Sequence, residues 1–461
     1  MKKITLAFLL LGAFAAKAQD VKKDTIIQSF KESIDAHSMK FSGLDERLST
    51  MDSDLAKLTK IKVSGYIQAQ YDSYDTWTAA GAHGFQVVAP TKAVAAVPFD
   101  ATKPWLAPVS AAAAIPGTFI TNSFYLRRAR IKFAYDTGAG VSFVLQPDFS
   151  FDKVSLKDAY VVLNDHWTKT YSLFMGQFDR PNYEIEYSSG SMEMLERTKM
   201  AGILYPGEKT LGAKLEANFD TTYHFPLKLQ LAVMNGNFNL GTTTNQTRDI
   251  SSGKDVMARA VYSIKLPKQG LGIDFGGHGY FGKTEVLPGT STAFTDVNNN
   301  PFTASIGNKL DKNWLGAEMQ VYYDFLGGLA LKGEYISGTI SGTSNALQSG
   351  GQITSNKVRN FAGSYAMLIK NIGVKNQFIA RYDVWDPNTR LSGNAVSSAS
   401  ELKYNTWSFS WQYFFDENIK VNVGYTLPIN EKSANAALVG TDFANKDKVD
   451  NTFTIRIQAK F

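Results

Sequence analysis

The chain has no cysteine among its 461 residues, which excludes a disulfide framework and any thiolate metal site. It also lacks a long hydrophobic run. The longest apolar stretch, Ile4 to Ala16 in MKKITLAFLLLGAFAAKAQ, is too short to span a bilayer as a helix. With its basic start and the small-residue site Ala16-Lys17-Ala18, residues 1–18 read as a secretory signal peptide. Removing them takes away Lys2, Lys3 and Lys17 and no acid, so the formal charge falls from +6 to +3. That balance is too weak to argue for nucleic acid. The five histidines (His37, His83, His166, His224, His278) are scattered, with no pair at ligand spacing, so no metal site is expected. There is no G-x-S-x-G, and no nucleophile–base constellation is legible, so neither catalytic residues nor a cofactor are expected. GHGYFG (277–282) matches a dinucleotide-binding spacing, but it lies in an alternating stretch with no helix after it.

What the chain has is aromatic residues, 13% of the total, and two successive periodicities. In residues 19–60 the positions Ile27, Phe30, Ile34, His37, Phe41, Leu44, Leu48, Met51, Leu55 and Leu58 are spaced alternately by three and four. This heptad seam predicts a coiled coil, with His37 as a polar register-setting residue. The seam must bury itself against something. A homotrimer is the preferred partner state; packing on the chain's own remainder is the alternative.

From Lys62 the period becomes two. VSGYIQAQY, TWSFSWQYF, IKVNVGYTL and TFTIRIQAKF each set an apolar face against a polar one over about ten residues. A sandwich would alternate too. The aromatic strand ends and the alternation of tight connections (136–140, 267–270, 326–328, 371–374, 416–418) with long ones (76–122, 179–209, 284–312, 385–404, 429–449) favour a closed up-and-down barrel. The expected fold is all-β: a transmembrane antiparallel barrel of about sixteen strands over residues 61–461. The Ala/Pro/Val-rich stretch 87–117 reads as a long outer loop.

YLRRARIKF (125–133) is the densest basic stretch of a predicted strand. Strict alternation sends Leu126, Arg128, Arg130 and Lys132 to the lumen, and Tyr125, Ala129, Ile131, Phe133 and Tyr135 to lipid. Arg127 then lies on the lipid side near the outer end, where it can snorkel. Successive lumenal cations are about 7 Å apart. Facing lipid they would cost about 2–4 kcal/mol each at the midplane; facing water they cost little and act on passing ions. Further lumenal cations by the same rule are Lys214, Lys228, Lys332, Arg381, Arg456 and Lys460, and the acids are Asp158, Glu216, Glu318, Glu334 and Asp383.

RRAR followed by KF, with LQPDFSF (145–151), KDAYVVL (157–163) and MGQFDRP (175–181), resembles the phosphate-selective porin O and P family of Gram-negative outer membranes. RYDVWDPNT (381–389) and the leading coiled coil resemble the porins of this type found in Bacteroidetes. The resemblance extends over the whole mature chain. It implies a sixteen-stranded trimeric barrel in outer-membrane lipid, with the third outer loop folded inward and basic residues along the path of an anion. Carried over, those are Arg128 and Arg130, with Lys132 beside them by alternation. Phe461 resembles the aromatic signal that the barrel-assembly machinery recognises. The predicted loop at 179–209 mixes Arg180, Arg197 and Lys199 with Glu184, Glu186, Glu193 and Glu196. A phosphate filter wants donors without nearby acids. The mixture fits a passive channel for small hydrophilic solutes with a mild anion preference. The alternatives are a barrel enzyme (lipase or protease) and a coiled-coil envelope tether.

Overall fold

The computed structural model describes residues 60–75, 122–149, 154–236, 253–286, 292–342, 356–439 and 443–461. The signal peptide, the heptad seam and the loop at 87–117 lie outside the described residues. The chain divides into two units, Met1–Ile61 and Lys62–Phe461; of the first, only Lys60 and Ile61 are described.

Sixteen strands close into an antiparallel barrel. They begin with β1 (Ile61–Tyr74), β2 (Asn122–Asp136), β3 (Val141–Asp148), β4 (Ser155–Asn164), β5 (Tyr171–Asp179) and β6 (Lys209–Asn218). They continue through β7 (Leu227–Asn235), β8 (Lys254–Leu266) and β9 (Leu271–Glu285). A short hairpin, β10 (Ala293–Thr295) and β11 (Pro301–Thr303), interrupts the wall. β12 (Lys309–Tyr323) then pairs directly with β9. The wall is completed by β13 (Leu329–Gly342), β14 (Lys357–Ile372), β15 (Asn376–Asp386), β16 (Tyr404–Phe414), β17 (Ile419–Asn430) and β18 (Thr452–Lys460). β18 pairs with both β17 and β1, so no edge is left open. At the seam Gly65 and Phe461 exchange backbone hydrogen bonds of 2.9 and 3.0 Å.

Alternation holds where the sequence read it most plainly. On β16, Trp407, Phe409 and Trp411 are exposed on the outer face while Ser408, Ser410 and Gln412 are buried. β18 buries Thr454, Arg456 and Gln458 and exposes Ile457. The 136–140, 267–270 and 415–418 turns share one end of the barrel with the start of β1 and the end of β18, joined there by 219–226, which carries helix α3 (Asp220–Tyr223). GHGYFG lies inside β9, as strand rather than as a helix-leading turn.

On β14 the pattern is inverted. Phe361, Tyr365, Met367 and Ile369 are buried inside, while Ala366 and Ser364 share the outward parity with exposed Leu368. Together with Tyr280, Trp314, Ile336 and Trp385 they form an apolar patch within the lumen. A two-face reading sends apolar residues to lipid and does not anticipate it. Its cause is a cover, the loop between β5 and β6.

Candidate functional site

Residues 180–208 turn into the barrel and lie across it. Two short helices stiffen the segment: α1 (Tyr183–Glu186), capped by Asn182, and α2 (Lys199–Leu204), capped by Thr198, whose hydroxyl oxygen accepts from the Ala201 N–H at 3.2 Å. Glu184 is an internal tie, accepting from the Thr198 hydroxyl at 2.6 Å. Arg197 makes a second, pairing with Glu208 at 2.9 Å and donating to the Tyr187 carbonyl at 3.0 Å. Arg180 is buried and donates to the Pro206 carbonyl at 3.3 Å.

One side of the loop is polar and grips the wall through hydrogen bonds. The Gly190 carbonyl accepts from Gln458 at 2.8 Å, the Met192 carbonyl from Lys420 at 3.0 Å, and the Glu196 carbonyl from Arg381 at 2.8 Å. Glu186 meets Lys214 at 3.1 Å and Arg259 at 2.8 Å, and Glu193 meets Lys332 at 2.6 Å. The other side is apolar: Met200, Ile203, Leu204 and Tyr205 pack into the lumenal patch, with Tyr205 edge-on to Trp314, which stacks on Tyr280 at 3.9 Å. Two wall glycines receive loop side chains. A Cβ at Gly363 would lie 2.6 Å from Met200 Sδ, and one at Gly424 would lie 2.3 Å from Leu195 Cδ1.

The basic stretch of β2 is a further point where the loop is held. Arg127 forms a bidentate pair with Glu196, both bonds 2.8 Å, and Arg128 stands 3.6 Å from the same carboxylate. Arg456 adds a further contact to it and donates to the Leu195 carbonyl at 2.5 Å. Burial opposes the charge on Glu196, but Arg127, Arg456 and Arg128 hold its carboxyl well below the usual carboxylate range. Arg130 binds Asp148 at 2.8 Å and the Tyr66 hydroxyl at 2.9 Å.

This corrects strict alternation along β2. Tyr125 and Arg127 face inward and Leu126 is exposed outside, because Tyr125 donates to Asp72 and Arg127 to Glu196. The pattern slips by one residue between Arg127 and Arg128, so both aim into the lumen. Two adjacent arginines were the available signal, since alternation would leave one of them in lipid. Lys157 was missed for a related reason. The β3–β4 register shifts between Gln146 and Pro147, and Lys157 comes within electrostatic reach of Arg130, Glu208 and Asp148. Among the described residues Lys132 has no carboxylate partner, and Lys460 is exposed at the end that carries the 136–140 turn.

Arg128, Arg130, Arg381 and Arg456 are therefore lumenal, but chiefly as holdfasts for the loop and its neighbours rather than as a bare row. Open space remains beside the loop. One cavity of about 340 Å³ lies between Tyr183, Tyr187 and Glu186 and the wall residues Lys228, Asp274 and Gln320. Another of about 260 Å³ lies between Gly190 and Ser191 and the wall residues Gln412, Lys420 and Lys460.

Lys199 begins α2 with its ammonium 3.3 Å from the centre of the Tyr404 ring. Burial lowers it to about 8, against the pull of Asp450 and Asp383. Burial also pushes Asp450, in the connection before β18, up to about 6; Lys199 and Lys448 oppose this and Asp447 reinforces it. The folded chain thus binds the Asp450 proton more tightly than the unfolded chain does. Its contribution to stability falls as the pH rises from 3.8 to about 6. We expect Asp450→Asn to flatten that fall, read as the urea midpoint against pH in detergent; an unchanged profile would remove Asp450 from the account.

Residues 118–285 match the family phosphate-selective porin O and P, a span that includes both the basic stretch and the lodged loop. No curated protein matches the sequence. Among solved structures, OprB of Pseudomonas putida is similar at 12% identity and TM-score 0.53, over 89% of this chain and 96% of that one. OmpF of Salmonella typhi, solved with daunomycin, is similar at 12% identity and TM-score 0.50, over 87% and 97%. An anion-selective porin of Comamonas acidovorans aligns at 11% identity and TM-score 0.48, over 87% and 99%.

Proposed function

We propose that the chain is an outer-membrane channel through which small hydrophilic solutes diffuse passively, with a modest preference for anions. The observation that carries this reading is the lodged loop. It narrows a lumen whose wall is polar over most strands, and leaves water-accessible space beside it rather than a continuous packed core. The family match over 118–285 supports a channel rather than an enzyme.

The anion preference rests on the cations that β2, β4 and β18 bring together. There Arg127, Arg128 and Arg456 share the single carboxylate of Glu196, with Lys132 and Lys157 nearby in sequence and register. Phosphate specificity is not part of the proposal, because Glu196 and Asp148 occupy the arginines that would form a bare filter. The proposal includes a homotrimer, an outer face of exposed aromatic and aliphatic residues in lipid, and Phe461 as the contact for the barrel-assembly machinery. It also includes the signal peptide at 1–18, and the coiled coil at 19–60 on the periplasmic side.

The test is solute entry into liposomes carrying the purified protein. Swelling in isosmotic glycerol, arabinose, glucose and sucrose should slow in that order, as the solute approaches the bore left by the loop. Liposomes that swell no faster than protein-free ones in any of the four would refute the proposal.

A further inference from the structure

Behind the loop, three adjacent strands bring ligand-type side chains together: His278 on β9, Glu318 on β12 and Glu334 on β13. The register sets Glu318 directly opposite Glu334, and His278 opposite Gly316, two residues away on β12. Like charges directly opposed across an antiparallel pair destabilise it unless something lies between them. One ring nitrogen and one oxygen of each carboxylate lie within 4.8 Å of one another. His278 Nδ1 stands 3.8 Å from Glu334 Oε1. The three residues are only 5%, 4% and 4% exposed.

The local partners do not balance this group. Arg259 spans Glu318 at 2.6 and 3.1 Å, and the Asn182 amide donates to Glu334 Oε1. Among the described residues, Glu334 Oε2 and His278 Nδ1 are buried with no hydrogen-bond partner. One guanidinium against two carboxylates leaves a negative charge out of water, and Glu184 adds to it from the loop. A buried carboxylate left alone is costly, and is relieved by a proton or a cation.

We propose that His278, Glu318 and Glu334 bind a divalent cation of the Zn²⁺ class. An imidazole nitrogen and carboxylate oxygens are the donor set such an ion takes, at about 2.0–2.2 Å, which puts neighbouring ligand atoms roughly 3.4 Å apart. The 3.8 Å separation needs only a small contraction to reach that. The far edge of the ring is already held: Nε2 lies 3.3 Å from the Tyr205 hydroxyl, which accepts from Trp314 Nε1 at 3.1 Å. In the tautomer that donates Nε2–H to Tyr205, Nδ1 presents a bare lone pair to the carboxylates. Tyr205 and Asn182 belong to the loop, so the ion joins three wall strands to the loop's base.

The test uses full-length protein in detergent, stripped with a chelator and titrated with Co²⁺ as a chromophoric stand-in, then with Zn²⁺ in competition. Wild type should take up one Co²⁺ per chain, develop visible ligand-field bands and lose them to Zn²⁺. His278→Asn and Glu334→Gln should each weaken uptake by about tenfold or more. Glu334→Gln is nearly isosteric and removes the excess charge, so it should fold; the heat-dependent gel shift of barrel proteins checks this for both variants. Folded wild type that takes up no Co²⁺ would mean that a proton neutralises Glu334, and would overturn the proposal. Uptake unchanged in both variants would place the ion elsewhere and overturn it equally.

Discussion

Glu196→Gln should shift the zero-current potential of the channel in a KCl gradient strongly toward chloride. Glu196 is the one carboxylate shared by Arg127, Arg128 and Arg456, and its side chain keeps about a fifth of its surface open to the lumen. Neutralising it leaves three guanidinium groups in one place. In water a unit charge ~5 Å from a passing ion is worth about 0.8 kcal/mol, or roughly a fourfold change in local concentration for each sign of ion. Salt screening over about 8 Å reduces this. We therefore expect the chloride-to-potassium permeability ratio to rise about threefold or more, and more steeply at low salt. Glutamine retains two hydrogen-bonding atoms, so the loop keeps part of its hold. A potential that does not move would mean that these arginines lie off the ion path, and would remove them from the account of selectivity.

Trp314→Ala should act on the loop itself. Trp314 is 2% exposed, stacks on Tyr280 and meets both Tyr205 and Phe361 edge-on. It is the centre of the patch against which α2 rests. Truncating a buried tryptophan costs about 3–5 kcal/mol, through lost burial and the cavity left behind. Tyr205 also loses the indole N–H that its hydroxyl accepts. The polar contacts on the opposite side of the loop, Glu196 and Glu193 above all, remain in place. We expect a folded barrel with an earlier urea midpoint and a loop that samples positions away from the wall. Single channels should show a larger and noisier conductance. A stable variant with native conductance would mean that the apolar contact does not fix the loop.

The barrel was legible because its outward faces obey one rule. Trp407, Phe409 and Trp411 must meet lipid, and their neighbours Ser408, Ser410 and Gln412 must not. The inward face obeys no single rule once a loop covers part of it, which is why the apolar side chains of Phe361 and Trp385 stand in the lumen. Arg128, Arg130, Arg381 and Arg456 each hold the loop or a neighbouring acid in the structure. Their partners were not legible, since Glu196 reaches Arg127 across 69 residues and Arg456 across 260. The same limit hides His278, Glu318 and Glu334. They are distant in sequence, and only the β9–β12–β13 register makes them neighbours. Arg127 shows the opposite case: strict periodicity placed it in lipid, and a single slip of the strand returned it to the lumen.

The proposed channel is an aqueous path whose bore is set by residues 180–208. Single-channel recording of the purified protein in planar bilayers, wild type beside Trp314→Ala, tests it most directly. Discrete, reproducible steps in wild type, with larger and less steady ones in the variant, are the predicted result. Wild-type protein that is folded and inserted but passes no current would contradict it.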